Sequence, residues 1–266
     1  PPEVEPVVLH TASAAPTLAP SLRDASLVVF AGPGVIRRGA VDDLRRFAHH
    51  AGLGVVNTWG AKGVFVWDDP AHHGTAGLQQ RDLELAGITG ADLIIAVGLD
   101  DDEVPRERFA SRPVLDVAPA HLPVLAARWE PAGSIPPTPP LYTELSAALA
   151  PLYAADARPN PAKLAATLAG ALPAGGLVAA DPGDVGFWIA RCLPTTEAGS
   201  VVVPARRCER VGVALAMAAV LAERAGLAVT SWPFDDTTRA LSELAPALGA
   251  APVVVGVGEP GAGSPD

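Results

Sequence analysis

Short apolar runs alternate with amphipathic stretches along the first half of the chain. Runs rich in Val, Ile and Leu are typical of strands buried on both faces of a parallel sheet, and amphipathic stretches are typical of the helices that cover it. The pattern predicts a helix at about 41–51, and helix and loop from 59 to about 90. The predicted strands are Leu27–Ala31, Val55–Thr58, Ala91–Gly98 and Pro113–Ala118.

The second half repeats this alternation. Four apolar runs predict strands, and an Ala-rich stretch between the second and third predicts a helix, "GVALAMAAVLAERA". The four runs are "GLVAADPG", "GSVVVP", "LAVTSW" and "APVVVGVG". We therefore expect an α/β protein with two doubly wound, mainly parallel-sheet domains.

Proline-rich stretches divide the chain. Residues 1–21 contain prolines without a period and predict an extended linker. The stretch 129–140 predicts a domain edge or an exposed crossing segment, and 154–161 predicts a second linker. We place the first domain at 22–153 and the second at 154–266.

The charge balance excludes some classes of partner. The net charge is −10, and the 19 Lys and Arg residues form no basic stripe, so neither nucleic acid nor an anionic membrane is an expected partner. No apolar run is long enough to span a bilayer and no signal sequence opens the chain, so we expect a cytoplasmic protein. Under those conditions Cys192 and Cys208 are expected to be reduced and buried.

A glycine turn follows the first predicted strand. Gly32 and Gly34 lie between a strand and a helical stretch, where backbone N–H groups can face a phosphate. Arg37 occupies the position of the third glycine, so the dinucleotide fingerprint is incomplete. The residues alone leave two interpretations open: a tight corner of the sheet, or a ligand-binding turn.

The order of motifs around this turn resembles a known domain. After the glycine turn come "GLGVV", "TWGAKG" at 58–63, "DDPAHHGTAG", "ADLIIAVGLDDDEV" and "VLDVAP". Over residues 25–120 this order is similar to the central domain of thiamine-diphosphate-dependent enzymes such as acetolactate synthase and benzoylformate decarboxylase. The resemblance implies a Rossmann-like central domain.

In flavin-binding members of that family the central domain holds FAD across the carboxyl ends of its strands. The resemblance therefore makes six residues candidate cofactor contacts: Gly32, Gly34, Thr58, Lys62, Gly98 and Asp116. The acidic run 100–103 opposes this, because four carboxylates repel a diphosphate. We expect that run to form a solvated loop, and no metal site.

The second half resembles the diphosphate-binding domain of the same enzymes, on "LVAADPGDVGFWIARCLP" and "RVGVALAMAAVLAERAGLAV". In the family, a Gly-Asp-Gly turn and a later Asn-Asn pair bind thiamine diphosphate through Mg²⁺. Here Ser231–Pro233 and Gly258–Glu259 stand at those positions. Because Trp232 cannot ligate a metal and Pro233 restricts the turn, we expect that this site is lost.

Two other groups of residues carry candidate chemistry. Asp235 and Asp236 could bind a cation from a shifted turn, but the following sequence favours helix capping. His72 and His73 lack a partner at metal-ligand spacing, so a surface or loop-packing role is expected.

These observations lead to a functional expectation with alternatives. We expect a thiamine-enzyme-like protein that is inactive alone, with no catalytic residues of its own, because the family's catalytic glutamate belongs to an N-terminal aminopyrimidine-binding domain absent from this sequence. Its expected partners are further copies of itself or an aminopyrimidine-domain chain, which would make it one subunit of a two-chain decarboxylase or synthase. The alternative is an FAD- or NAD-binding protein that uses the first-domain crevice.

Overall fold

The computed structural model describes residues 25–131, 134–206 and 210–258, so the predicted linker at 1–21 lies outside the described residues. Two parallel sheets packed with helices confirm the α/β class with two doubly wound sheets. The helices are α1 Gly34–Arg37, α2 Val41–Ala51, α3 Asp82–Leu85, α4 Leu122–Arg128, α5 Leu141–Tyr153, α6 Pro161–Ala171, α7 Asp184–Cys192, α8 Val211–Leu221 and α9 Asp236–Leu244.

The first sheet has the strand order β3-β2-β1-β4-β5, with all neighbouring strands parallel. The chain winds from β1 towards one edge and returns beside β1 as β4, so the winding direction reverses between these two strands. Ligands of such sheets bind outside the carboxyl ends of the strands at this point. The strands are β1 Leu27–Ala31, β2 Val55–Asn57, β3 His72–Thr75, β4 Leu93–Val97 and β5 Val114–Val117.

The second sheet has the order β7-β6-β8-β9 and is also parallel. Its winding direction reverses between β6 and β8. All four strands were predicted from apolar runs. They are β6 Leu177–Ala180, β7 Val201–Val202, β8 Gly226–Ser231 and β9 Val253–Val257.

The first sheet is buried on both faces. Val29 and Phe30 are consecutive in β1, so their side chains point to opposite faces and enter two separate cores. Val29 shares its core with Phe47 of α2, and Phe30 packs edge-on against Phe109 at a centroid distance of 5.6 Å. Burial on both faces explains why the strands are continuous apolar runs in the sequence. Helix α2 forms over the span that its amphipathic pattern predicts.

Strand β3 corrects the prediction of helix and loop between 59 and 90. Its sequence, His-His-Gly-Thr, has no apolar run, yet all four residues are buried. Asn57 satisfies two of its buried polar side chains: Asn57 Oδ1 lies 2.8 Å from His72 Nε2, and Asn57 Nδ2 donates to Thr75 Oγ1. A buried polar strand of this kind has no signature in hydrophobic periodicity.

Candidate functional site

The glycine turn lies at the reversal point of the first sheet, where it packs directly against the loop that follows β4. The Gly34 N–H donates to the Gly98 carbonyl at 2.9 Å. A Cβ on Gly32 would lie 2.4 Å from that same carbonyl oxygen and 2.4 Å from the Leu99 Cα. Close approach of two backbone segments therefore explains both glycines without a ligand.

The other three candidate contacts have different environments. Thr58 and Lys62 flank a 3₁₀ turn, Trp59–Ala61, after β2, and both are buried. Asp116 lies on β5 and forms a two-pronged ion pair with Arg106, at 2.6 and 2.8 Å. The structure thus brings Gly32, Gly34 and Gly98 into contact, with Thr58 and Lys62 on an adjacent loop. Their proposed role as cofactor contacts stays a prediction.

The acidic run 100–103 is only partly the solvated loop that we expected. Asp101 and Asp102 are exposed, and Asp100 lies 3.4 Å from the Arg37 guanidinium. Glu103, in contrast, is 8% exposed and packs on Gly60, where a Cβ would lie 2.0 Å from the carboxylate Oε1. Gly60, the first glycine of the "TWGAKG" turn, therefore makes room for a buried carboxyl group.

Burial and, to a lesser extent, the Asp100 carboxylate raise the pKa of Glu103 to about 7. The Thr58 hydroxyl lowers this pKa in part, although neither Thr58 Oγ1 nor Glu103 Oε2 has a partner in good hydrogen-bond geometry. Because the folded pKa lies above the unfolded value of 4.5, the folded state binds the proton more tightly. The stability contribution of Glu103 is therefore fully present below about pH 4.5 and is lost as the pH rises to about 7.

Replacing Glu103 by glutamine should remove this pH dependence. We expect Glu103→Gln to raise the free energy of unfolding at pH 8 by on the order of 2 kcal/mol, with a difference that shrinks as the pH is lowered towards 5. Urea unfolding at a series of pH values measures this. The control is Asp101→Asn, which changes an exposed residue of the same loop and should leave the pH profile as it is. Parallel profiles for wild type and Glu103→Gln would show that Glu103 ionises in the folded protein at no cost.

The segment 195–206, which includes β7, covers part of the same edge of the first sheet. The Trp67 backbone N–H donates to the Thr195 carbonyl at 3.2 Å, and the Trp59 indole Nε1 donates to the Val203 carbonyl at 3.2 Å. These contacts join loops of the first sheet to the second half of the chain.

Two further contacts hold this segment in place. Gly63 has a φ of +83°, and a Cβ there would lie 2.1 Å from the Glu197 carbonyl oxygen. Arg206 forms a two-pronged ion pair with Asp102, at 2.7 and 3.0 Å. Together these contacts pack the segment 195–206 against the loops after β2 and β4, which carry the candidate cofactor contacts Thr58, Lys62 and Gly98.

A buried ion pair also joins the two halves. Arg191 of α7 donates to Asp82 Oδ2 at 2.5 Å and to the Thr75 carbonyl at 3.0 Å. The side chains of Arg191 and Asp82 are only 2% and 3% exposed. Sequence reasoning missed this pair, since 109 residues separate its members and no local motif links them.

The paired histidines are packing residues, and the surface alternative is wrong because both are 5% exposed. Burial lowers the pKa of His72 to about 4, so its ring is neutral near pH 7. Its Nδ1 lies 3.1 Å from the Trp67 carbonyl. Within the described ranges, no group of three or more His, Cys, Asp or Glu residues could hold a metal ion.

The reversal point of the second sheet is occupied by internal contacts. Asp181 follows β6, and its carboxylate accepts the Gly212 N–H at 2.8 Å and the Thr230 hydroxyl at 2.5 Å. Gly212 is the second residue of α8, so the carboxylate satisfies one of the free N–H groups at that helix N-terminus. Each carboxylate oxygen of Asp181 thus accepts an internal hydrogen bond.

Trp232, at the position where the resemblance assigns a metal-binding aspartate, packs onto β9. Its backbone N–H donates to the Val257 carbonyl at 2.8 Å, and its ring packs edge-on against the Phe234 ring at a centroid distance of 4.7 Å. A Cβ on Gly258 would lie 2.6 Å from the Trp232 carbonyl oxygen. Glu259, the other residue at a family ligand position, lies outside the described residues.

The capping interpretation of the acidic pair is confirmed for Asp235. It is the N-cap of α9, and its carboxylate accepts the Thr238 N–H at 2.7 Å. The same carboxylate pairs with Arg210 at 2.7 Å. Both interactions lower the pKa of Asp235, as expected for a helix N-cap carboxylate.

The cysteine prediction is confirmed for Cys192, which is buried and free. Burial raises the pKa of its thiol. Cys208 lies outside the described residues. Among the helices that the structure describes, none has the length and apolar content to cross a membrane.

Comparison with known proteins supports the predicted resemblance. Residues 22–132 match the family model described as "Thiamine pyrophosphate enzyme, central domain". A stretch of 76 residues is 34% identical to the acetolactate synthase large subunit of Corynebacterium glutamicum, and it spans 29% of this chain and 12% of that protein.

A solved structure supports the fold. A thiamin diphosphate-dependent enzyme isolated from Mycobacterium smegmatis matches with a TM-score of 0.66 and 20% identity, over 90% of this chain. At that identity the match bears on the fold alone. The match spans about half, 51%, of that solved chain. The resemblance to thiamine-diphosphate-dependent enzymes predicted from the sequence is thus confirmed.

Proposed function

From its relationship to thiamine-diphosphate-dependent enzymes, we propose that this chain is an acetolactate-synthase-like protein that does not bind the metal-bridged cofactor by itself. Its role is then binding or assembly, either with further copies of itself or with a chain that supplies an aminopyrimidine-binding domain. In the second case it would be one subunit of a two-chain decarboxylase or synthase.

The environment of Asp181 and Trp232 is the observation that carries this proposal. A diphosphate with Mg²⁺ needs oxygen ligands and free backbone N–H groups at the reversal point of the second sheet. There, Asp181 already accepts two hydrogen bonds, one of them from the α8 N-terminus. Trp232 offers no ligand where the resemblance assigns a metal-binding aspartate. The residues described at this edge do not fit the cofactor.

The alternative, a protein that binds FAD or NAD in the first-sheet crevice, has less support. The Gly34 N–H is already donated to Gly98, and α1 has only four residues, so the turn presents few free donors to a phosphate. The segment 195–206 also contacts the loops after β2 and β4.

Thermal melting with three ligands separates the possibilities. A ligand at 100 times its dissociation constant stabilises a protein by about 2.7 kcal/mol, which is several degrees for a chain of this size. We expect no shift of the melting midpoint with thiamine diphosphate and Mg²⁺ added together. A shift with that pair would contradict the proposal, and a shift with FAD or NAD would favour the alternative.

A further inference from the structure

The loop after β4 packs on the turn after β2 through a buried carboxyl group. Glu103 Oε1 would lie 2.0 Å from a Cβ on Gly60, so the carboxyl group occupies space that only a glycine leaves open. The next residue, Val104, packs on Gly77 in the same way, with a methyl carbon 2.4 Å from the Cβ position. Two consecutive side chains of this loop thus fit against glycines of neighbouring loops.

The polar atoms at this contact are incompletely satisfied. Glu103 Oε2 and Thr58 Oγ1, which precedes the turn, are both buried and have no hydrogen-bond partner among the described residues. A buried carboxylate costs far more free energy than a buried neutral carboxyl group, because it loses its hydration. The packing therefore favours a protonated Glu103, and an ionised Glu103 gains free energy by turning into water.

The surrounding groups leave this preference in place. Asp100 of the same loop opposes the ionisation of Glu103, whereas Arg37 of α1 favours it. Arg37 Nη1 lies 3.4 Å from Asp100 Oδ2, so these two charges offset one another. From the turn, the Thr58 hydroxyl and the Gly60 N–H also favour ionisation. Burial outweighs them, and the pKa of Glu103 is raised to about 7.

The same loop and turn hold the segment 195–206 in place. One anchor is the two-pronged ion pair of Asp102, in this loop, with Arg206. The other is the hydrogen bond from the Trp59 indole, in this turn, to the Val203 carbonyl. Asp102 and Trp59 each adjoin the buried carboxyl contact in sequence, so loss of that contact would displace both anchors together.

We propose that Glu103 is a proton-controlled latch between the two halves of the chain. While its carboxyl group is protonated, the loop 99–103 stays packed on the turn and the segment 195–206 stays in place. Ionisation turns the side chain into water, the loop leaves the turn, and the segment loosens from the loops after β2 and β4. The opening is local, because Gly98 remains packed on the glycine turn and Val104, 1% exposed, remains in the core.

Hydrogen exchange followed by NMR tests the latch in the wild-type protein. The probes are the Trp59 indole N–H and the Trp67 backbone N–H, which both donate to carbonyls of the segment. After correction for the intrinsic pH dependence of exchange, we expect their protection to fall by up to about tenfold per pH unit above about pH 7, since opening then relieves a buried charge. The Val29 N–H of β1, which donates to the Gly54 carbonyl, should exchange more slowly throughout.

Two results in the wild-type protein would overturn the proposal. One is protection of the two probes that stays constant between about pH 6 and pH 9. The other is exchange of both probes at the rate of the Val29 N–H, because the segment would then be released only by global unfolding.

Glu103→Gln separates the proton from the packing. Glutamine has nearly the same shape and does not ionise, so this variant should keep both probes protected as the pH rises. Asp101→Asn is the matched control; Asp101 is exposed in the same loop, and its replacement should leave the wild-type pH dependence. Equal pH dependence in wild type and Glu103→Gln would contradict the latch. If Glu103→Gln does not fold, the wild-type pH series decides alone.

Discussion

Arg191→Met is expected to lower the free energy of unfolding by about 3–5 kcal/mol, because it leaves the Asp82 carboxylate buried without its cation. Asp82 would retain one hydrogen bond, from the Gln79 N–H at 2.9 Å, and the Thr75 carbonyl would lose a donor. Since α7 follows β6 and Asp82 begins α3 beyond β3, the loss should weaken the junction between the two halves. Urea unfolding followed by circular dichroism measures the change.

Arg206→Met is the matched control. Arg206 also joins the two halves through a two-pronged ion pair, with Asp102, but its side chain is 81% exposed. Exposed ion pairs are screened by water and contribute little to stability. We expect no measurable change in unfolding for this variant. Equal losses in Arg191→Met and Arg206→Met would show that burial does not set the strength of the junction.

Gly32→Ala is expected to destabilise the protein by about 3 kcal/mol or more, because the added Cβ would collide with backbone atoms of the loop after β4. Those atoms, the Gly98 carbonyl oxygen and the Leu99 Cα, both lie 2.4 Å from the Cβ position. Neither can move aside as the end of a flexible side chain could. The glycine turn is then a tight corner that the sheet requires, whether or not a ligand binds.

Gly170→Ala provides the comparison for this glycine. Gly170 lies in α6, and no atom lies within 4 Å of the Cβ position. Alanine favours a helix over glycine by up to about 1 kcal/mol, so we expect a small gain in stability. An unchanged free energy of unfolding in Gly32→Ala, beside a gain in Gly170→Ala, would contradict the packing explanation.

The apolar core was predictable from the sequence because its signals are local. β1 and α2 form over their predicted spans, since continuous apolar runs and helical periodicity each report burial within a few residues. The N-cap role of Asp235 was predictable for the same reason, because a cap depends on the three residues that follow it.

The polar interior was not predictable, since its partners are far apart in the chain. Arg191 and Asp82, and Asp181 and Thr230, become neighbours only after the sheets form. The acidic run that contains Glu103 predicts a solvated loop, and no local pattern indicates that this carboxyl group is buried against Gly60. Such contacts leave no periodicity in the sequence.

Isothermal titration of the purified chain with thiamine diphosphate in the presence of Mg²⁺ tests the central claim most directly. No saturable heat is expected, because each Asp181 carboxylate oxygen already accepts an internal hydrogen bond and Trp232 packs where the resemblance assigns a metal ligand. Saturable binding of one cofactor per chain with a micromolar dissociation constant would contradict it.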